Sequence, residues 1–347
     1  MTTWTDCLAN SRAVWGDWHA RRAVLHYGDP GTEYAAITSS TAVVDFSDRT
    51  LVELVGADRA AFLHNMCTNE IRKLPAGSGC EAFLTDASAK ILAYVWVAAG
   101  PQTLVLETVH GQAPRLLKHL GRYIIREDVQ LIDRGEEWGE LLLAGAGAAE
   151  LLQEQLGSTP PSRPLDHTHA SLRGLDVHVW RVELTKPNSF LVRAMRAELP
   201  RLWSTLTAAG ARACGQEALE AARIEAGSPY YEQDITDQNL PQEVARDDRA
   251  ISFVKGCYIG QETVARIDSR GHVNKTLVGM RIEGRNVPPA GLELTHDGRA
   301  VGHVTSAAFS PKLDSPLALG YVRRGLNEAR TTLDSPLGRA TVVTLPV

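Results

Sequence analysis

One order of elements occurs twice along this chain, and that recurrence leaves few folds open. Residues 50–55 alternate as a strand and 58–66 carry Ala61, Phe62 and Met66 at helical spacing. Two strands, 80–85 and 90–98, flank the Asp86-Ala87-Ser88 turn. A strand at 103–109, a helix at 113–123 and a strand at 129–132 close the set. The same order returns with different residues: strand 139–144, helix 148–156, strands 175–184 and 190–194, helix 199–208 and strand 212–214. Two successive ferredoxin-like split β-α-β units account for this most simply. Pro160, Pro161 and Pro164 make 158–164 a surface loop inside the second unit.

Around the units lie less regular stretches. The sequence predicts a helical segment over 7–19, a polar loop at 28–31 and a short strand at 42–46. An Ala-rich helix over 215–226 ends at Gly227, and 228–249 is polar and irregular, a length that is usually functional or mobile. From Thr276 the pattern changes to short strands with tight turns. Asp297-Gly298 is a hairpin signal, and 317–322 and 340–345 complete a small antiparallel barrel. The expected fold is therefore α+β, with two ferredoxin-like units followed by a C-terminal antiparallel β-barrel. The expected division is 1–262, holding units at about 50–135 and 138–262 with room for interleaved boundaries, and a barrel domain at 273–347.

At 347 residues, with 44% hydrophobic and 22% charged residues, large cores are available. A formal charge of -5 gives no basic footprint for broad nucleic-acid binding. The start of the chain lacks a basic stretch followed by an apolar run, and no stretch approaches a membrane-spanning length, so a cytoplasmic protein is expected. Cys7, Cys67, Cys80, Cys214 and Cys257 are odd in number and scattered, which argues against a disulfide framework. No metal site is expected: His167 and His169 are two apart but have no Cys or Glu beside them.

The densest chemistry lies in Lys255-Gly256-Cys257-Tyr258-Ile259-Gly260-Gln261-Glu262. If its first half is extended, Lys255 and Cys257 share a face and the ammonium favours the thiolate. From Gln261 to Arg270 a helix is predicted, with Glu262, Arg266 and Arg270 at four-residue steps. Gly260 would open an anion-accepting N-terminus. Against this stands the bland reading of Cys257 as a small buried hydrophobe and Lys255 as a solvated cation.

This motif resembles the signature of the YgfZ-type folate-binding proteins, within the superfamily of the glycine-cleavage T-protein. Gly56 to Leu63 looks like that superfamily's first helix, and Arg223-Ile224-Glu225-Ala226-Gly227 resembles its Arg-x-Glu-Ala-Gly element. Tyr231, Asp234-Ile235, Pro241 and Glu243 fall where the family places the same residue types. The resemblance implies domains around a central channel holding tetrahydrofolate or a one-carbon derivative. It also implies iron-sulfur proteins or iron-sulfur tRNA-modifying enzymes as partners, and a ring of domains that one chain closes as a monomer. Folate needs flat apolar walls, a polar edge and cations for its tail, and Tyr231, Glu225 and Arg223 meet these needs. Arg223 and Glu225 serve equally well as an intrahelical or interdomain ion pair.

Departures from the family pattern narrow the activity. Aminomethyltransferases carry an Asp-Asp pair where this chain has Ala93-Tyr94, and alanine cannot exchange a proton. Their pterin-holding Glu loop is replaced by 182–189, with Glu183 out of register, and Cys257 stands where they have an acid. One expected function is a folate-binding accessory factor of iron-sulfur cluster assembly or repair, linked to tRNA modification. In that reading Cys257 and Lys255 act chemically, supported by Gly256, Tyr258, Gly260, Gln261 and Glu262. The alternatives are a folate-dependent aminomethyl- or methyltransferase, with Glu107 or Asp86 as substitute acid although both read as surface residues, and a binding module without chemistry.

Overall fold

The structure, a computed structural model, describes residues 4–9, 12–19 and 21–347. A short helix α1 (Trp4–Leu8) leads into a two-stranded ribbon, β1 (Val14–Trp18) and β2 (Arg21–His26). Helix α2 (Pro30–Ser39) and strand β3 (Ala42–Asp45) follow. The first unit contains β4 (Thr50–Val55), α3 (Arg59–Met66), β5 (Ser78–Thr85), β6 (Ile91–Ala99), β7 (Thr103–Thr108), α4 (Ala113–Gly121) and β8 (Gln130–Asp133). The second contains β9 (Trp138–Ala144), α5 (Ala148–Leu156), β10 (His167–Leu172), β11 (Leu175–Val182), β12 (Ser189–Met195), α6 (Leu199–Ala208) and β13 (Arg212–Cys214). Helices α7 (Gln216–Glu225), α8 (Asp247–Ala250) and α9 (Gln261–Arg270) lead to the barrel. Its strands are β14 (Lys275–Ile282), β15 (Glu293–His296), β16 (Arg299–Ser310), β17 (Ser315–Arg323), β18 (Thr332–Ser335) and β19 (Gly338–Val343).

The two units are built alike. The first sheet has the order β5-β6-β7-β4-β8 and the second β10-β11-β12-β9-β3-β13, so the positions correspond strand for strand except that β3 is inserted between β9 and β13. Strand β3 precedes the first unit in sequence yet pairs antiparallel with β9 and parallel with β13, which interleaves the units. Helices α3 and α4 cover one face of the first sheet through Phe62, Leu63, Leu116 and Leu120. Helices α5 and α6 cover one face of the second through Leu152, Leu199 and Leu206. Between the sheets lies a third core, in which Leu51, Trp96 and Val105 meet Val44, Leu142 and Trp180, closed by Ile37 of α2 and Ala218 and Ala222 of α7. Each fully buried side chain of this size contributes roughly 1.5–3 kcal/mol.

Three elements differ from the sequence reading. Residues 14–18 and 21–26 form a ribbon and not a continuation of the first helix; Gly16 lies so close to Leu25 that a Cβ would sit 2.5 Å from that side chain. The stretch at 28–31 starts α2: Asp29 accepts from the Gly31 amide at 3.1 Å and Pro30 occupies the first turn, where its missing N–H costs nothing. Strand β10, His-Thr-His-Ala-Ser-Leu, lacks the branched apolar residues that mark strands and is an edge strand.

The barrel closes through β14-β17-β16-β15-β18-β19, leaving no open edge. The β15–β16 hairpin turns at Asp297 and Gly298, both with positive φ (50° and 71°), as a tight two-residue turn requires. A bulge in β16 between Val304 and Ser306 turns two successive hydroxyls the same way. Thr305 and Ser306 both donate to Asp234 Oδ1, at 2.5 and 2.7 Å. The other oxygen of Asp234 accepts from Arg223 Nη1 of α7 and from the Tyr230 amide, each at 2.9 Å, and the Asp234 carbonyl accepts from the Tyr321 hydroxyl at 3.0 Å. Helix α7, the 228–240 loop and the barrel thus converge on one carboxylate that is 1% exposed.

Asp234→Ala is expected to lower unfolding stability by about 3–5 kcal/mol, because it strands Arg223 and two hydroxyls in a dry interior. Urea denaturation followed by circular dichroism measures this, and a loss under about 0.5 kcal/mol would show that the node is not a clamp.

Candidate functional site: an aromatic chamber and an exposed thiol loop

The 249–262 segment is clasped onto the first unit. Thr68 Oγ1 donates to the Ala250 carbonyl at 2.6 Å and Thr85 Oγ1 to the Ile259 carbonyl at 2.6 Å, while the Ile259 amide donates to the Asn65 carbonyl at 3.2 Å. Lys255 is buried, and its ammonium donates to the carbonyls of His64, Cys67 (2.7 Å) and Asn69 (2.8 Å). These carbonyls lie at and just beyond the C-terminus of α3, where backbone acceptors lack partners and a cation is favoured. The ammonium also sits 4.9 Å from the Tyr258 ring centroid. Burial holds the Lys255 amine below its ordinary pKa.

Lys255 and Cys257 therefore do not share a face as expected. Residues 252–258 are not a strand; Lys255 turns inward onto α3 while Gly256 and Cys257 are exposed, and the Cys257 thiol is free. Phe253 and Val254 beside it are 45% and 97% exposed. Tyr258 packs inward in a cluster with Phe83, Ile91 and Tyr231. Helix α9 begins at Gln261 as expected, after Gly260 with φ of +83°. A Cβ at Gly260 would lie 2.6 Å from the Asp86 carbonyl, so glycine lets the loop rest on the β5–β6 turn. The Gln261 amide donates to the Tyr258 carbonyl at 3.1 Å. Glu262 is exposed, and among the described residues it makes no ion pair with Arg266.

A central chamber lies between the units, walled by Phe46, Tyr94, Trp96, Tyr230 and Tyr231, with Arg49 and Glu107 inside it. Its free volume is ≈ 20 Å³. Tyr231 donates from its hydroxyl to the Leu92 carbonyl at 2.6 Å and accepts from Arg115 at 2.9 Å. Glu107 is 1% exposed, which corrects its reading as a surface residue. Arg49 Nε donates to Glu107 Oε1, whereas Oε2 is buried with no hydrogen-bond partner. Asp86, by contrast, accepts from the Ser88 and Lys90 amides of its own turn at 2.8 Å. The ribbon caps the chamber: the His19 ring stacks on Tyr230 with centroids 4.5 Å apart. Burial, reinforced by Arg223 and Arg21, pushes His19 down to about 4.

Of the residues expected to meet folate, Tyr231 alone lines this chamber. Arg223 is enclosed by Glu220 and Asp234; burial alone would lower its pKa, but the two carboxylates outweigh that and raise it. Glu225 accepts from the hydroxyls of Tyr34 (2.7 Å) and Ser310 and borders a different cavity, of ≈ 570 Å³, beside Lys186 and Lys312. Cys257 and Lys255 are not part of the chamber wall either. Arg49, Glu107 and His19 were not singled out as a group because they lie far apart in sequence and none sits in a motif; only the fold brings them together.

Residues 5–254 match the GCVT N-terminal domain model. The chain belongs to the glycine-cleavage T-protein family. Residues 275–347 match the glycine cleavage T-protein C-terminal barrel domain. The chain is 28% identical over 303 residues to an aminomethyltransferase of Rubrobacter xylanophilus, covering 86% of this chain and 80% of that one. It is likewise 28% identical over 293 residues to a chloroplastic protein of Arabidopsis thaliana named as a transferase, covering 83% and 67% respectively. The crystal structure of the glycine cleavage system aminomethyltransferase T from Bartonella henselae superposes with a TM-score of 0.88 at 21% identity, over 97% of this chain and 94% of that one. In the T-protein fold of this chain, Ala93 is buried in the apolar core of the first unit, while Tyr94 faces the chamber and donates to Glu81 at 2.6 Å.

Two outcomes follow from this geometry. Lys255→Met is expected to lower stability by about 1–3 kcal/mol, since it leaves buried carbonyls unpaired, while Cys257→Ser stays within about 0.5 kcal/mol of the parent; thermal unfolding distinguishes them. His19 has a folded-state pKa of about 4 against 6.5 when unfolded, so its share of stability is full above pH 6.5 and is lost as pH falls toward 4. His19→Asn, which tolerates the positive φ, should flatten the melting-temperature decline across that window, and an unchanged slope would remove His19 as its source.

Proposed function

We propose that this chain is a YgfZ-type member of the T-protein family: a tetrahydrofolate-binding accessory protein of iron-sulfur cluster assembly or repair, linked to tRNA modification. The observation that carries the reading is a free, exposed Cys257, held by a rigidly docked Lys-Gly-Cys-Tyr-x-Gly-Gln-Glu loop, in a chain whose residue at the family's catalytic aspartate is a buried Ala93. Five free cysteines suit a reducing compartment, in keeping with a cytoplasmic protein, and a monomer is the expected form.

The chamber's chemistry fits a reduced pterin. Phe46, Trp96, Tyr230 and Tyr231 supply flat walls, and the partnerless Glu107 Oε2 supplies a buried acceptor for a ring N–H. When bound, tetrahydrofolate supplies a carrier for one-carbon units. A free volume of ≈ 20 Å³ is smaller than a pterin, so entry requires His19 to leave Tyr230 and the ribbon to swing outward. Arg49, through its Nε hydrogen bond to Oε1, fixes the orientation of the Glu107 carboxyl. Cys257, outside the chamber, meets the client protein, with Phe253 and Val254 as apolar contacts.

One observation favours the aminomethyltransferase alternative: Glu107 is a buried carboxylate with a free oxygen inside the chamber, a substitute for the missing acid. Incubation with an aminomethyl donor and tetrahydrofolate tests it, and formation of methylenetetrahydrofolate would replace the accessory reading.

For the main reading, calorimetry should detect tetrahydrofolate binding by the parent protein, an affinity loss of about tenfold or more in Glu107→Gln, and unchanged binding in Cys257→Ser, which nevertheless fails to support an iron-sulfur tRNA-modifying enzyme. A parent protein that binds no folate would end this reading, as would a Cys257→Ser protein with full activity.

A further inference from the structure

A separate cleft of ≈ 340 Å³ opens between the two sheets, with Val105 and Thr103 of β7 on one side and Asp176, His178 and Arg193 of β11 and β12 on the other. Its floor holds a hydrogen-bond chain whose direction is fixed. The Ser78 carbonyl can only accept, so His167 Nε2, 3.2 Å away, carries the hydrogen. Burial pushes His167 down to about 4, and in the neutral ring Nδ1 is bare and accepts from His178 Nε2 at 2.8 Å. Burial keeps His178 neutral as well. Its Nδ1 is therefore a bare acceptor, and it has no partner although the side chain is only 7% exposed.

Directly across the ladder from His178 stands Arg193, 6% exposed. Its Nε donates to Glu140 Oε1 at 2.9 Å, while Nη2, 2.8 Å from the same oxygen, has no properly directed acceptor. Ladder partners project on the same sheet face, so the buried acceptor of His178 and the buried donor of Arg193 belong to neighbouring residues that both line the cleft.

That pair selects among ligand chemistries. A carboxylate would satisfy Arg193 but set lone pair against lone pair at His178. A metal ion would take the His178 nitrogen, but it would face the Arg193 cation, and among the described residues no group of His, Cys, Asp or Glu is placed to complete its shell. A cis-lactam edge, with C=O beside N–H, satisfies both at once: the carbonyl accepts from Arg193 and the N–H donates to His178. Ala98, Val105 and Val177 give the apolar walls that a flat ring needs, and the volume lies near the lower end of small-molecule sites, about 300–1,000 Å³. We infer that this cleft binds a small lactam heterocycle of the pyrimidinone or purinone class.

Calorimetry on the full chain with uracil and hypoxanthine tests this. Saturable binding of at least one is expected, with a tenfold or greater loss for 1,3-dimethyluracil, whose ring N–H is blocked, and no binding to a folded His178→Phe protein. Should that variant not fold, nitrogen-15 NMR of the parent histidines decides: the His178 Nδ1 resonance should move on adding the bound base while His19 stays fixed. No binding of either base, equal binding of the dimethylated one, retained binding in folded His178→Phe, or an unmoved His178 signal would each overturn the assignment.

Discussion

A single buried carboxylate, Asp234, holds together the parts that create the site. Helix α7 reaches it through Arg223, the 228–240 loop through the Tyr230 amide, and the barrel through the Thr305 and Ser306 hydroxyls that the β16 bulge turns toward it. Tyr230 and Tyr231 form part of the chamber wall, so their position depends on this convergence. An ion pair of this kind does not make the fold more stable than apolar packing would; what it fixes is geometry, because a charge enclosed here accepts only one arrangement of its donors.

The same logic assigns Lys255. A cation in a motif with a cysteine invites a reading as its activator, but the ammonium completes the C-terminal end of α3 and anchors the loop. Its contribution to Cys257 is positional: with Lys255 and Tyr258 drawn inward, the residues around the intervening thiol face solvent. Chamber and thiol are thus distinct features, joined by the shared core in which Tyr258 and Tyr231 pack.

Much of the fold was legible because period and turn chemistry agreed. Strand β4, helices α5, α6 and α9, and β13 lie where their patterns put them, and the repeated element order anticipated two matching sheets. Legibility failed where local signals are ambiguous: Asp29-Pro30-Gly31 suits a turn as well as a helix start, and the polar edge strand β10 has no apolar alternation. The insertion of β3 into the second sheet is a tertiary choice that no local pattern carries. For the site, the loop residues were found because they are contiguous. Glu107 was misjudged as exposed because a charge on a strand normally faces water, and its burial depends on Arg49, over fifty residues earlier, arriving beside it.

Hydrogen exchange with and without tetrahydrofolate tests most directly whether the pterin enters the aromatic chamber and leaves the thiol loop free. The account predicts new protection at 94–96, 107–109 and 229–231, faster exchange in the ribbon strands 14–18 and 21–26 as they yield, and no change at 253–258. Protection confined to 253–258, with the chamber strands unaffected, would contradict it.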